Sequence, residues 1–87
     1  MSIVLTVTKE SLKGMTICEI ASIIRYDWAK VNYAAKPYLE AMETLRSVTD
    51  KYGFDSGESM VAYFLSNANT WKGEIARLVK AELKSRI

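Results

Sequence analysis

Met15-Thr16-Ile17-Cys18-Glu19-Ile20-Ala21-Ser22-Ile23-Ile24-Arg25-Tyr26-Asp27-Trp28 is the stretch that decides the fold. Thr16 and Glu19 have the spacing of a capping box, in which each side chain satisfies a backbone N–H at the start of a helix, and Met15 with Ile20 stands where a hydrophobic staple would form. Ile17, Ile20, Ile24, Trp28 and Val31 then recur at three- and four-residue steps, with Ala21 and Ile23 beside them. That spacing predicts one unbroken amphipathic helix to about Tyr33 with a broad apolar face turned to a core.

Downstream, the same reading repeats. Pro37 suits the first position of a second helix, where its missing N–H costs nothing, and it biases Lys36 away from helical angles. Tyr38, Ala41, Met42, Leu45 and Val48 form its stripe, which ends before a segment in which Gly53 can supply a left-handed cap. Asp55 and Glu58 repeat the capping-box spacing ahead of Met60, Val61, Phe64, Leu65 and Ala68. Asn67-Ala68-Asn69-Thr70 breaks that pattern, because short polar side chains compete for backbone partners, and Thr70 is the expected cap of a last helix carrying Trp71, Ile75, Leu78, Val79 and Leu83. The expected fold is therefore all-α, a compact bundle of four helices over residues 15–87.

Upstream, Ser2-Ile-Val-Leu-Thr-Val-Thr8 is β-branched and suited to a strand, yet no other stretch offers it a partner. Residues 1–14 are read as an extended or flexible arm, with Lys9–Gly14 as a hinge and Met15 as an alternative start. The arm could be exchanged between two copies, and a homodimer is one expectation.

Composition narrows the chemistry. The chain has 87 residues, 49% of them hydrophobic and 25% charged, a net charge of +2 and no histidine. Such a length supports one domain. Without histidine, the usual general base at neutral pH, the Ser/His and Cys/His nucleophile pairs and nearly all zinc sites lose a member. Asp27, Glu40, Glu43, Asp50 and Asp55 lack the spacing of an EF-hand or two-metal site. Gly53-x-x-x-Gly57 lacks the Gly-Lys-Ser/Thr ending of a phosphate loop. The expectation is a protein that is not an enzyme and needs no cofactor or metal. Cys18 is the single cysteine, so no internal disulfide forms and a cytoplasmic location is expected. It reads as a small core filler, with an activated thiol as the alternative. The first residues lack the features of a signal peptide and no apolar run is long enough for a membrane helix.

Several motifs stand out between Met15 and Leu83: Met15-Thr-Ile-x-Glu-Ile-Ala21, Asp27-Trp28, Pro37-Tyr-Leu-x-Ala-Met42, Tyr52-Gly-x-Asp-Ser-Gly57, Tyr63-Phe-Leu-x-Asn-Ala-x-Thr-Trp-x-Gly-Glu74 and Ala76-Arg-x-x-Lys-x-Glu-Leu83. Together they resemble a family of short, uncharacterised proteins of phages and bacterial mobile elements. The resemblance implies a small protein acting inside a host cell cytoplasm and carries no chemistry of its own.

Two surfaces are candidates for function. Nine aromatic residues are more than a small core easily hides, and exposed Tyr and Trp are typical contact anchors. Tyr26, Trp28, Tyr33, Tyr38, Tyr52 and Trp71 are the expected protein-binding residues. The first reading is a non-catalytic module that binds a host protein stoichiometrically and inhibits or redirects it.

The alternative is a DNA-binding regulator. Ile17–Ala21 followed by Val31 matches the packing positions of a helix-turn-helix whose second helix Asp27 would cap, although Arg25 then occupies the turn position that glycine usually takes. Lys30, Asn32 and Lys36, with Tyr33, would face bases or phosphates. Trp71–Ile87 holds five cations against two carboxylates, a local charge of +3, while Met1–Thr70 carries −1. Arg77, Lys80 and Lys84 share a helical face that could follow a phosphate backbone or sit in solvent, stabilised by the helix dipole. A further polar cluster, Tyr52, Asp55, Ser56, Ser59, Asn67, Asn69, Thr70 and Trp71, could present helix N-terminal amides to a small acidic ligand or could simply supply caps and turns.

Overall fold

The computed structural model describes residues 7–87, so the expected strand of the arm lies almost wholly outside the described residues. The expected hinge is instead a short helix, α1 (Lys9–Lys13). Thr8 caps it: its Oγ1 accepts from the Ser11 N–H at 3.1 Å, and Ser11 Oγ accepts from the Thr8 N–H at 3.0 Å. Serine here plays the part usually given to Glu or Gln in a capping box. Leu12 of α1 is fully buried, which fastens the segment to the core.

Helix α2 (Ile17–Asp27) begins where the sequence places it. Thr16 Oγ1 accepts from the Glu19 N–H at 3.2 Å, and Glu19 Oε1 accepts from the Thr16 N–H at 2.8 Å. Those backbone and side-chain hydrogen bonds hold the Glu19 carboxyl below its usual pKa. The amides of Ile17 and Cys18, orphaned at a helix start, donate to the carbonyls of Arg46 and Leu45 at 2.9 and 2.7 Å. Contrary to expectation, α2 stops at Asp27. Trp28 leaves helical geometry at φ −100° and ψ 80°, and turns follow before α3 (Lys36–Met42). The unbroken helix to Tyr33 and the second helix of a helix-turn-helix are therefore both corrected. Tertiary packing of Trp28 overrides the helical periodicity.

Pro37 occupies the second position of α3, one later than expected, and the helix ends at Met42. Leu45 and Val48, expected on its stripe, instead lie in irregular chain, Leu45 buried and Val48 half-buried. Two short strands follow, β1 (Lys51–Tyr52) and β2 (Asp55–Ser56), antiparallel with Lys51 opposite Ser56 and Tyr52 opposite Asp55. Gly53, at φ 64°, is the first turn residue of this hairpin and not a helix cap. A positive φ at that position is what a two-residue primed turn demands. Helix α4 (Gly57–Ser66) is capped by Ser56, whose Oγ accepts from the Ser59 N–H at 3.1 Å, so Asp55 is not the cap. Helix α5 (Glu74–Ser85) is preceded by Gly73 at φ 117°, and Thr70 is not its cap.

The fold is thus mostly helical, with five helices and a two-stranded hairpin among the described residues, in place of four helices alone. Its core gathers Leu12, Ile17, Ile20, Ile24, Leu39, Met42, Leu45, Val61, Phe64, Val79 and Leu83, each essentially inaccessible. Every buried residue among those described is apolar. Helix α3 lies chiefly on α4, and α1 and α2 lie on α5.

Candidate functional site

The rings divide into a buried set and an exposed set. Trp28 and Trp71, expected at a contact surface, are buried at 8% and 2% exposure. Their planes are 9° apart with centroids separated by 5.8 Å, and Phe64 meets both edge-on. Trp71 Nε1 donates to Asp27 Oδ2 at 2.8 Å, which satisfies the indole and ties the end of α2 to the loop before α5. These two tryptophans are structural, because no partner can reach their faces without opening the core.

Four of the other expected anchors are at least partly accessible. Tyr33, in the turns before α3, is 91% exposed, and Tyr26 and Tyr52 are exposed as well. Tyr38 of α3 is half-buried against Tyr63 of α4, with ring centroids 5.3 Å apart. Sequence reading missed Tyr63 and Phe54, both exposed. Phe54 sits at the hairpin turn with its ring wholly in solvent. The signal that could have found it was Gly53 beside an aromatic residue, with polar Asp55 and Ser56 following: a tight turn that leaves its second residue no core to enter.

The basic residues are less uniform than their spacing implies. Arg77 pairs with Glu74 on its own helix. Lys80 folds back so that its Nζ donates to the Trp71 carbonyl at 2.6 Å and lies 5.8 Å from the Trp71 ring centroid. Burial, then the charges of Lys84 and Lys72, lower its pKa below the ordinary lysine value. Arg77, Lys80 and Lys84 therefore do not form a free stripe; Lys80 is the cation crowded by its neighbours Lys84 and Lys72. Lys30 and Lys36 are exposed, but Lys30 lies in turns and Lys36 opens α3. Asn32 is half-buried, and its Oδ1 accepts from the Ala34 N–H at 3.1 Å, an Asx turn that engages the side chain locally.

The polar cluster is also spoken for at one end. The amides of Gly57 and Glu58 donate to the carbonyls of Asp50 and Val48 at 2.7 and 3.1 Å, so the start of α4 has no free donors there for an acidic ligand. Cys18 is half-buried, with Sγ 3.2 Å from Thr16 Oγ1. Among the described residues no cluster of three or more His, Cys, Asp or Glu side chains could hold a metal ion, and no helix is long and apolar enough to cross a membrane.

A groove of about 470 Å³ separates α1 from α5, lined by Lys9, Lys13, Arg77, Leu78, Ala81, Glu82 and Ser85. One wall is fixed by Arg86. Its Nη1 donates to the Met15 carbonyl and its Nη2 to the Leu12 carbonyl, both at 2.7 Å, while its Nε pairs with Glu82 at 2.7 Å. This arginine, outside the lining, ties the carbonyl end of α1 to the end of α5.

No protein-family model, curated protein or solved structure matches the chain.

Proposed function

We propose that this chain is a non-catalytic binding module that works by stoichiometric contact with a protein partner, with Tyr33 and Phe54 as principal anchors and Tyr26, Tyr52 and Tyr63 as supporting rings. The observation that carries this reading is Phe54: a phenylalanine ring held in water at a tight two-residue turn forgoes about 1.5–3 kcal/mol of burial. Docking into a partner's apolar pocket recovers that free energy, and a tight turn presents the ring with little conformational entropy left to lose. With the resemblance to phage and mobile-element proteins, the partner proposed is a host protein whose action is blocked or redirected in the host cytoplasm. A second copy of the chain is the competing partner.

A second reading has one specific support. Lys72 and Lys84 are both exposed and both lie near enough to Lys80 for their charges to act on it, a clustering of cations that contact with duplex phosphates would use. Contact would then come from the last helix and the loop before it, without a helix-turn-helix.

Affinity capture from host lysate, with and without nuclease, separates the readings. The protein-contact reading expects nuclease-resistant capture at fixed stoichiometry that a Tyr33→Ser/Phe54→Ser variant loses while keeping its thermal midpoint. Capture that nuclease abolishes, or that the variant retains, overturns it. Sedimentation of the purified chain as a dimer that this variant dissociates would assign the rings to self-association instead.

A further inference from the structure

We infer that the groove between α1 and α5 is a docking site for an acidic, amphipathic peptide segment of a partner protein. None of the exposed aromatic residues lines it, so this surface is separate from the anchors above. Its apolar lining is half-buried Leu78 and exposed Ala81, and its basic lining is Lys9, Lys13 and Arg77. Lys9 and Lys13 lie four residues apart on α1 and so point to the same side.

Charge decides the occupant. Glu82, the one carboxylate in the lining, is held by Arg86, and Arg77 is matched by Glu74. Lys9 and Lys13 have no ion-pair partner among the described residues. The groove therefore offers two unanswered cations beside an apolar strip, and its complement is a segment carrying leucine-like side chains along one face with carboxylates on the flank. Met1–Thr6, Met-Ser-Ile-Val-Leu-Thr, contains no carboxylate and cannot answer those cations. Ser85, also in the lining, has its hydroxyl donating to the Glu82 carbonyl at 2.6 Å and so offers no free donor. The distance between α1 and α5 is held by Arg86, so the site is formed before the partner arrives.

The test is fluorescence anisotropy of the full chain with two labelled helical peptides that share two leucines four positions apart. One carries glutamates on the flank of the leucine face, and the other carries lysines at the same positions. The glutamate peptide should bind saturably and more weakly as salt is added, and the lysine peptide should not bind. Lys9→Ala/Lys13→Ala should weaken the glutamate peptide by roughly threefold to thirtyfold, since each surface ion pair contributes modestly. Ala81→Glu, which places a carboxylate in the apolar lining, should remove binding without altering the circular dichroism spectrum. Failure of the glutamate peptide to saturate, equal binding of both peptides, or unchanged affinity in the double lysine variant would each overturn the inference. Self-association that the lysine variant dissociates would overturn it too, by assigning the groove to a second copy.

Discussion

Trp71 lies parallel to Trp28, with ring centroids 5.8 Å apart, and its indole N–H donates to Asp27, the residue immediately before its stacking partner. Two adjacent residues at the end of α2 thus grip one ring from its face and from its edge, and the backbone turns out of the helix where that grip begins. The pairing determines both where α2 ends and where the chain before α5 lies. Trp71→Ala should cost about 3–5 kcal/mol in urea unfolding, as large aromatic truncations in a core do. Trp71→Phe, which keeps a ring but no donor, should cost less, as should Asp27→Ala, which leaves the indole N–H without its acceptor, at about 1–3 kcal/mol. The near-ultraviolet circular dichroism of the stacked pair should collapse in both Trp71 variants.

Arg86 is the clasp between the first and last helices. Arg86→Ala removes donors from the carbonyls of Leu12 and Met15 and leaves the Glu82 carboxylate, only 10% exposed, without its partner. A loss of about 1.5–3 kcal/mol is expected for hydrogen bonds to a charged group. Hydrogen exchange should accelerate in α1 before the rest of the molecule. Arg86→Lys should restore little, because an ammonium cannot reproduce the planar fork that reaches two carbonyls and a carboxylate together.

The two glycines of the Gly53–Gly57 segment should respond to alanine for different reasons. A Cβ at Gly57 would lie 2.8 Å from the Val48 carbonyl oxygen and 3.0 Å from that of Asp50, both backbone atoms, so Gly57→Ala must displace the chain that caps α4. Its cost should exceed that of Gly53→Ala, where nothing lies within 4 Å and the penalty is the positive φ alone, about 1–2 kcal/mol. Gly53→Asn should recover part of that penalty. Chemical denaturation of the three variants orders them.

How much of this was legible in the sequence depends on where each signal resides. The start of α2 was legible because Thr16 and Glu19, three residues apart, satisfy each other's backbone and side chain locally. Its end was not, because Val31 continues the apolar spacing past Trp28, while the rings that hold Trp28, Phe64 and Trp71, are distant in sequence. Helix α1 was missed because Thr8 and Ser11 use a serine variant of the capping box. Gly53 was recognised as a left-handed position, but the hairpin depends on the pairing of Lys51 with Ser56, which no periodicity announces. Trp71 and Trp28 were assigned outward because composition counts rings without locating them. The basic face looked continuous until Lys80 folded over the Trp71 carbonyl and Arg77 met Glu74.

Acid should weaken the link between α2 and α3. Arg25 holds Glu43 through two hydrogen bonds, at 2.7 and 2.9 Å, and this lowers the Glu43 pKa from its ordinary value of 4.5. A carboxyl whose folded pKa is depressed contributes stability above its unfolded pKa and loses that contribution as pH falls through the folded value. Both side chains are about a third exposed, so the contribution is about 0.2–1 kcal/mol after solvent screening. Glu43→Gln should lower stability by that amount at pH 7, and the difference from the parent chain should shrink steadily as pH falls below 4.5, which denaturant midpoints across an acid pH series would read.

The central claim, that exposed rings dock on a protein, is tested most directly at Phe54. Replacing Phe54 with a photoreactive benzophenone derivative of phenylalanine puts a crosslinker at the hairpin turn without altering a buried contact. Irradiation in host lysate should yield one discrete protein adduct at one-to-one stoichiometry, unaffected by nuclease. An adduct that forms only with nucleic acid, or the absence of any discrete protein adduct, would contradict it.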